Sequence, residues 1–295
     1  MTSSKGRINA GVWFVMPLTL FLLATTLAPI AYVAGLSLFR DYLPQRSVSF
    51  IGLQNFIESI HAPEFWTSMT NTGIYVFFAV VFHLLVAIAL AIMLDRTRSG
   101  FARYARVVRG LLVVPWLMSW AVAAALWRLI LDPGGVLNAY LIKLGLMAKQ
   151  IPWFGTTQYA MAWILIITVW KAFPFFLMLV YAALTTIPVE LYESAQIDGA
   201  NFFRKIRSIT LPMITPTVLT LGILDVVWSL RQFDIIFLTT GGGPLNATRT
   251  LTLQVYLTAY EGFRFGLAAS QGVIILLMST VISILYIRLY ERVDA

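Results

Sequence analysis

The sequence contains no cysteine, only two histidines, and charged residues at just 12% of its 295 positions. The missing cysteine excludes disulfides, thiolate metal sites and thiol nucleophiles. His61 and His83 fall in different segments, and a metal centre needs several ligands, so no metal site is expected. His83 reads as a buried structural histidine. No serine, histidine and carboxylate set is expected to come together, so no catalytic residue is assigned. The dipeptide Gly-Lys never occurs, which removes the phosphate-cradling loop that needs it ahead of Ser or Thr. An ordinary soluble domain carries roughly twice this share of charge. Here 59% of positions are hydrophobic and the mean hydropathy is +0.82. So little charge cannot clothe a soluble globule, and the composition is that of a membrane protein.

What the sequence has instead is long apolar runs, at 12–39, 72–94, 110–131, 159–183, 211–238 and 266–287. Each is long enough for a helix to cross the hydrocarbon layer, which takes about 20 residues. Barrel strands are short and alternating, so a transmembrane barrel is excluded. The first run follows Lys5 and Arg7 but has no small-residue cleavage motif, and it is kept as a first membrane helix. The expected fold is all-α, with six transmembrane helices in a single domain spanning 1–295.

Lys and Arg mark the cytoplasmic side of a membrane protein. One side gathers Lys5, Arg7, Arg96, Arg98, Arg103, Arg106, Arg109, Arg204, Lys205, Arg207, Arg288 and Arg292, twelve in all. The other carries Arg40, Arg46, Lys143, Lys149, Arg249 and Arg264, six spread over longer segments. Both termini are therefore expected in the cytoplasm, and the Arg-rich 95–109 loop is a topology anchor rather than a nucleic-acid site. On the outer side, Phe50–Ile57 and Glu64–Thr67 suit the membrane face. Asp132-Pro-Gly-Gly135 breaks the third helix, residues 136–158 form a loop with a short amphipathic piece, and Thr239–Pro244 makes another break.

The cytoplasmic 184–210 loop is patterned. Pro188 suits a helix start, Glu190 and Glu193 lie near its positive end, and Gly199 suits its stop. A second short helix is expected after Asn201, with Pro212 at the membrane entry. Leu191, Ala195, Phe202, Phe203 and Ile206 supply an apolar surface, read as a docking element for a cytoplasmic partner, with packing of the loop on its own helices as the alternative.

Inside the fifth run, Asp225, Trp228, Ser229 and Gln232 fall at i, i+3, i+4 and i+7, on one helical face. Charge at membrane depth is costly and usually faces a cavity or a partner. A carboxylate, a hydroxyl, an amide and an indole suit a sugar, whose hydroxyls bond and whose ring stacks. The stripe is read as the substrate path, with a polar helix-to-helix contact as the alternative. Lys171, mid-span, is placed as a possible partner of Asp225, and Arg128 as snorkelling to the interface. With no basic residue on the Asp225 face, an anionic substrate is disfavoured.

Glu190-Leu-Tyr-Glu-Ser-Ala-Gln-Ile-Asp-Gly-Ala200, followed by Ile209-Thr-Leu-Pro212, resembles the coupling-loop signature of the membrane subunits of ATP-binding-cassette importers. Ile51-Gly-Leu-Gln-Asn-Phe56, Asp132-Pro-Gly-Gly with Leu137-Asn138, Trp170-Lys-Ala-Phe-Pro174 and Phe233–Pro244 extend the resemblance to carbohydrate-uptake permeases of maltose, glycerol-phosphate and polyol type. The Gly-Gly-Pro region resembles the first of the two permeases such systems use. Glu193-Ser-Ala195 replaces the usual Glu-Ala-Ala, and Ile206 the usual Phe.

The resemblance implies a type I importer architecture in a prokaryotic cytoplasmic (inner) membrane. It also implies a second homologous permease, two ATPase subunits that bind ATP and Mg, an extracytoplasmic solute-binding protein and a carbohydrate substrate, with no nucleic acid and no cofactor in this chain. Glu190, Glu193, Ser194, Ala195, Asp198, Gly199 and Ala200 become the ATPase-coupling residues. The alternative is a secondary transporter driven by an ion gradient, which would show inverted repeats; no matched halves are evident.

Overall fold

The computed structural model describes residues 8–42, 47–96 and 102–293. Of the charges used for orientation, Lys5, Arg7, Arg46 and Arg98 lie outside the described residues. In chain order, helix α1 (Ile8–Leu22) runs through a π-turn (Leu23–Leu27) into α2 (Ala28–Leu36). Strands β1 (Phe39–Tyr42) and β2 (Ser47–Phe50), helix α3 (Gln54–His61) and the long α4 (Pro63–Arg96) follow. Next come α5 (Ala102–Leu117), α6 (Trp120–Ile130), α7 (Val136–Lys143), α8 (Ala160–Thr185), α9 (Val189–Ile197), α10 (Phe202–Lys205) and α11 (Leu211–Leu230). Helices α12 (Asp234–Thr239), α13 (Leu251–Tyr256) and α14 (Phe265–Val293) complete the order.

Among the described residues, five stretches are long and apolar enough to cross a membrane: Trp13–Leu36, Pro63–Asp95, Ala160–Thr185, Phe202–Leu230 and Phe265–Arg288. The third run departs from the single helix expected over 110–131. Gly110–Leu117 and Trp120–Ile130 meet at 100°. Pro115 lies inside α5 and lacks a backbone donor. Ser119 is then extended, and its Oγ accepts from Val122 N at 3.2 Å, so that a new helix is capped rather than the old one continued. The fifth run also shifts. Its helix stops at Leu230, not 238, and a turn at Arg231–Phe233 separates it from α12. The expected break after the third run is present: α6 ends at Ile130, and Gly135 caps α7.

The all-α expectation needs one correction. β1 and β2 form an antiparallel hairpin with Phe39 opposite Phe50, their rings edge to face at 5.4 Å, a cross-strand pair of the kind that holds small sheets.

The chain divides into two compact units. The first comprises Met1–Phe65 with Gln254–Leu277. In it Asn55, from the Ile51–Phe56 motif, donates from Nδ2 to the carbonyls of Ser37 and Phe39, both at 2.8 Å. Gly266 of α14 approaches the Phe39 carbonyl so closely that a Cβ would collide with it. Arg264 pairs with Glu58 at 2.6 Å.

The second unit comprises Trp66–Leu253 with Met278–Ala295. Its apolar core joins Ala87, Ala91 and Leu94 of α4, Phe173, Phe176, Leu177, Val180 and Leu184 of α8, and Ile214 and Leu221 of α11. On α4 the buried positions Ala79, His83, Ala87 and Ala91 recur every four residues, making one face of small side chains that lets helices approach closely. Of these four positions His83 is the polar one. Trp127, Trp163 and Trp153 form an aromatic cluster, with centroids 6.2 and 5.5 Å apart.

Candidate functional site

Three helices of the second unit bring polar groups together: α4 contributes Tyr75 and His83, α8 contributes Thr168, and α11 contributes Asp225 and Ser229. All five are buried. With Trp120, Ala172, Phe176, Trp228, Arg231 and Gln232 they line a cavity of about 310 Å³, at the small end of the range for ligand sites. All four residues of the expected stripe are present in it. Gln232 arrives by a different route than helical spacing, since the helix has already ended. A turn in which Gln232 N donates to Ser229 O at 3.2 Å carries it back to the same cavity.

Asp225 is engaged on both oxygens. His83 Nδ1 lies 2.7 Å from Oδ2, and Ser229 Oγ donates to Oδ1 at 3.2 Å. The other imidazole nitrogen, Nε2, lies 3.3 Å from the Thr168 carbonyl. Tyr75 donates to Thr168 Oγ1 at 3.2 Å, and that hydroxyl donates onward to Ile164 O. The His83 ring stacks on Phe176 at 5.2 Å, which fixes its plane. Buried polar groups are tolerated at this depth because they satisfy one another.

The geometry corrects several expectations. Lys171 does not pair with Asp225. Its Nζ donates to the Trp116 carbonyl at 3.4 Å and lies 4.4 Å from the centroid of the Trp120 ring. A serine, a histidine and a carboxylate do come together, but the hydroxyl bonds the carboxylate rather than the imidazole. The serine–imidazole pairing that activates a serine nucleophile is therefore not what the arrangement offers. Arg231 lines the cavity, so the face is not free of basic residues. Arg128 is exposed and donates to Leu238 O at 3.3 Å, an anchor onto α12. His83 and Tyr75 were not legible as site residues, because only the packing of α4 against α11 and α8 brings them there.

A larger groove of about 620 Å³, lined by Ile74, Phe78, Phe82, Val86, Ile166 and Trp170 among others, offers almost no polar surface. It lacks the convergent polar groups that would recognise a solute.

The 184–210 segment forms the expected corner. Pro188 sits at the N-cap of α9, Glu190 in its first turn, and Gly199 just past its end at φ +75°. Ala200 N donates to Ala195 O at 2.8 Å, closing the turn, in the manner of a glycine-terminated helix. Asn201 caps α10 by accepting from Arg204 N at 2.9 Å. The second arm differs from the separate short helix expected. α10 continues through a π-turn (Ile206–Thr210) directly into α11, so it is the end of a membrane helix.

Tyr192 OH bonds Thr210 Oγ1 at 3.0 Å, and Lys205 Nζ donates to Gln196 Oε1 at 3.1 Å, bracing α9 against that stem. Glu190, Glu193, Ser194, Asp198 and Gly199 are exposed, whereas Ala195 and Ala200 are half-buried. The apolar surface is also redistributed. Phe202 and Ile206 turn inward over a cavity of about 170 Å³ that Tyr192 also lines. Ile197, 88% exposed, joins Phe203, 77% exposed, and Leu191 on the outside.

Long apolar helices packed around a buried polar cavity define a multi-pass helical membrane protein. The chain belongs to the family of binding-protein-dependent transport system inner membrane components, whose pattern matches residues 12–295. It is 31% identical over 281 residues to the trehalose/maltose transport system permease protein of Thermococcus litoralis, covering 94% of this chain and 92% of that one. It is 32% identical over 248 residues to the sn-glycerol-3-phosphate transport system permease protein of Yersinia enterocolitica, covering 83% and 82%. Its fold is shared with a chain of a bacterial ABC transporter involved in import of the acidic polysaccharide alginate. That match has a TM-score of 0.84 at 23% identity and covers 96% of this chain and 97% of the other.

Proposed function

We propose that this chain is the transmembrane permease subunit of an ATP-binding-cassette importer that moves a carbohydrate or polyol into the cytoplasm. It works as a single permease domain of six spans with both termini inside. The observation that carries the reading is the braced corner of α9 and α10. It fixes large apolar side chains, Ile197 and Phe203, in the open beside Glu190, Glu193, Ser194 and Asp198, and an exposed apolar patch of this kind marks a docking site.

The partner it fits is an ATPase subunit, which binds ATP and Mg on this chain's behalf. Because α10 is continuous with α11, displacement of the corner pulls on the helix that holds Asp225 and Ser229. Rigid-body movement is thereby delivered to the cavity. Two ATPases, a second homologous permease and an extracytoplasmic solute-binding protein complete the system. ATP binding closes the ATPases, the path opens outward to accept solute from the binding protein, and hydrolysis resets it. Ala195 and Ala200 serve the corner from within by shaping its closing turn, and the five exposed coupling residues meet the partner. An ion-driven carrier would need Asp225 free for its ion, whereas His83 and Ser229 already occupy both carboxylate oxygens.

The test is ATP hydrolysis by the complex copurified through this chain in lipid vesicles, with and without a carbohydrate-binding protein and its sugar. Stimulation by both together, abolished by Gly199→Pro, is the expected result. Absence of any copurifying ATPase, with uptake following an ion gradient, overturns the assignment.

A further inference from the structure

The cavity holds a cation, Arg231, that its one carboxylate is not placed to meet. The ionisable groups lining it are Tyr75, His83, Asp225 and Arg231. Its one carboxylate is held by His83 and Ser229. Arg231 is exposed, and its guanidinium makes one weak bond, from Nε to Val227 O at 3.4 Å. Among the described residues no carboxylate lies within ion-pair distance of Arg231.

Beside it, Gln232 Nε2 is a buried donor with no acceptor among the described residues. One aromatic ring away, Lys171 is buried over Trp120 and donates to the Trp116 carbonyl, with no carboxylate within ion-pair distance among the described residues. Cations at membrane depth are costly when uncompensated, and a buried donor left unmet carries a desolvation penalty. Gln232 Nε2 lacks an acceptor and Arg231 beside it lacks a carboxylate, so the missing partner is an acceptor with negative charge. A guanidinium fork matches a carboxylate or phosphate in two-point geometry, and the exposed Trp228 face beside it suits the apolar side of a sugar ring.

From this imbalance we infer that the solute is an anionic carbohydrate, a sugar or polyol bearing a carboxylate or phosphate, whose charged group is received by Arg231 and Gln232. The inference rests on the cavity being the solute path of the importer proposed above. Asp225 is then a positioning residue within the helix packing, and discrimination by charge falls to Arg231.

The experiment uses the purified permease and ATPase complex and follows its thermal stabilisation by five probes: a triuronide, a neutral trisaccharide of the same length, sn-glycerol 3-phosphate, glycerol and inorganic phosphate. The triuronide or the glycerol phosphate should stabilise the complex at concentrations at least about tenfold below its neutral counterpart. Arg231→Gln should erase that preference, and Arg231→Lys should restore part of it. Arg128→Gln, a cation outside the cavity, should leave it intact.

A neutral trisaccharide that binds as well as the triuronide, with Arg231→Gln unchanged, overturns the anionic assignment while leaving an ATP-driven carbohydrate importer in place. Inorganic phosphate as effective as either anionic carbohydrate also overturns it, because the site would then bind anions without recognising a sugar. If no carbohydrate of either charge stabilises the complex or stimulates its ATPase, the importer assignment itself fails.

Discussion

Asp225 is stable inside a membrane helix only because His83 and Ser229 reach it, and that dependence is measurable. Taking away the partner of a buried carboxylate typically costs about 3–5 kcal/mol, because an uncompensated charge is left behind, whereas replacing both groups by apolar ones is often neutral. His83→Leu should lower the thermal stability of the purified complex sharply, and His83→Leu/Asp225→Leu should recover most of the loss. If the single variant is as stable as the parent, the bond at 2.7 Å does not hold the carboxylate in place. Gly199 is a residue of the opposite kind. No atom lies within 4 Å of where its Cβ would be, so its φ of +75° is the whole reason for glycine. The left-handed conformation costs an ordinary residue roughly 1–2 kcal/mol, and Asn less. Binding-protein stimulation of ATP hydrolysis should therefore fall in the order Gly199, Gly199→Asn, Gly199→Ala, Gly199→Val. A Gly199→Val complex that couples normally would show that the corner does not need this turn.

At the level of elements, the chain announces some features and conceals others for identifiable reasons. Helix α9, its proline start, its glycine stop and the Asn201 cap are all local, set by residues within four positions of one another, and each lies where the spacing places it. Five spans were legible as apolar runs, the one over 211–238 with its ends displaced, because length and composition suffice for a membrane helix. The bend at Met118–Ser119 was hidden because Pro115 sits within an unbroken apolar run, and hydropathy registers no change of direction. The His83–Asp225 bond joins residues 142 positions apart. No periodicity reports such a pair, although a histidine on a four-residue stripe of alanines was the available signal. Ile197 escaped notice for a related reason. Only the bracing of α9 through Tyr192 and Lys205 decides which of its apolar side chains face outward. Ile197→Ser with Phe203→Ser should weaken ATPase copurification by about tenfold or more, since burying one such side chain is worth roughly 1.5–3 kcal/mol and each 1.4 kcal/mol is tenfold. The same chain should still reach the membrane at parental levels. Undiminished copurification would place the ATPase contact elsewhere.

At the scale of the whole molecule, the lack of cysteine makes the path of the chain through the bilayer directly measurable. Ile197 in the corner and Leu245 at the tip of the 240–250 loop are 88% and 91% exposed. The single long helix Phe202–Leu230 lies between them in sequence. One crossing puts them on opposite sides. An impermeant maleimide added to intact cells should therefore label Leu245→Cys at once, and Ile197→Cys only after permeabilisation. The bent pair α5–α6 governs the remaining count. If Gly110–Leu117 and Trp120–Ile130 together cross the membrane, four crossings precede Ile197, and a cysteine appended ahead of Met1 will be protected in the same way. If the pair enters and leaves on one side, only three precede it, and the appended cysteine will label from outside. The twelve basic residues gathered on one side of the six-span arrangement favour the first outcome, because moving any of them across is opposed by the rule that keeps Lys and Arg in the cytoplasm. Protection of the appended cysteine together with Ile197→Cys would establish six spans with both termini inside, whereas labelling of it from outside would reduce the count to five and invert the N-terminus.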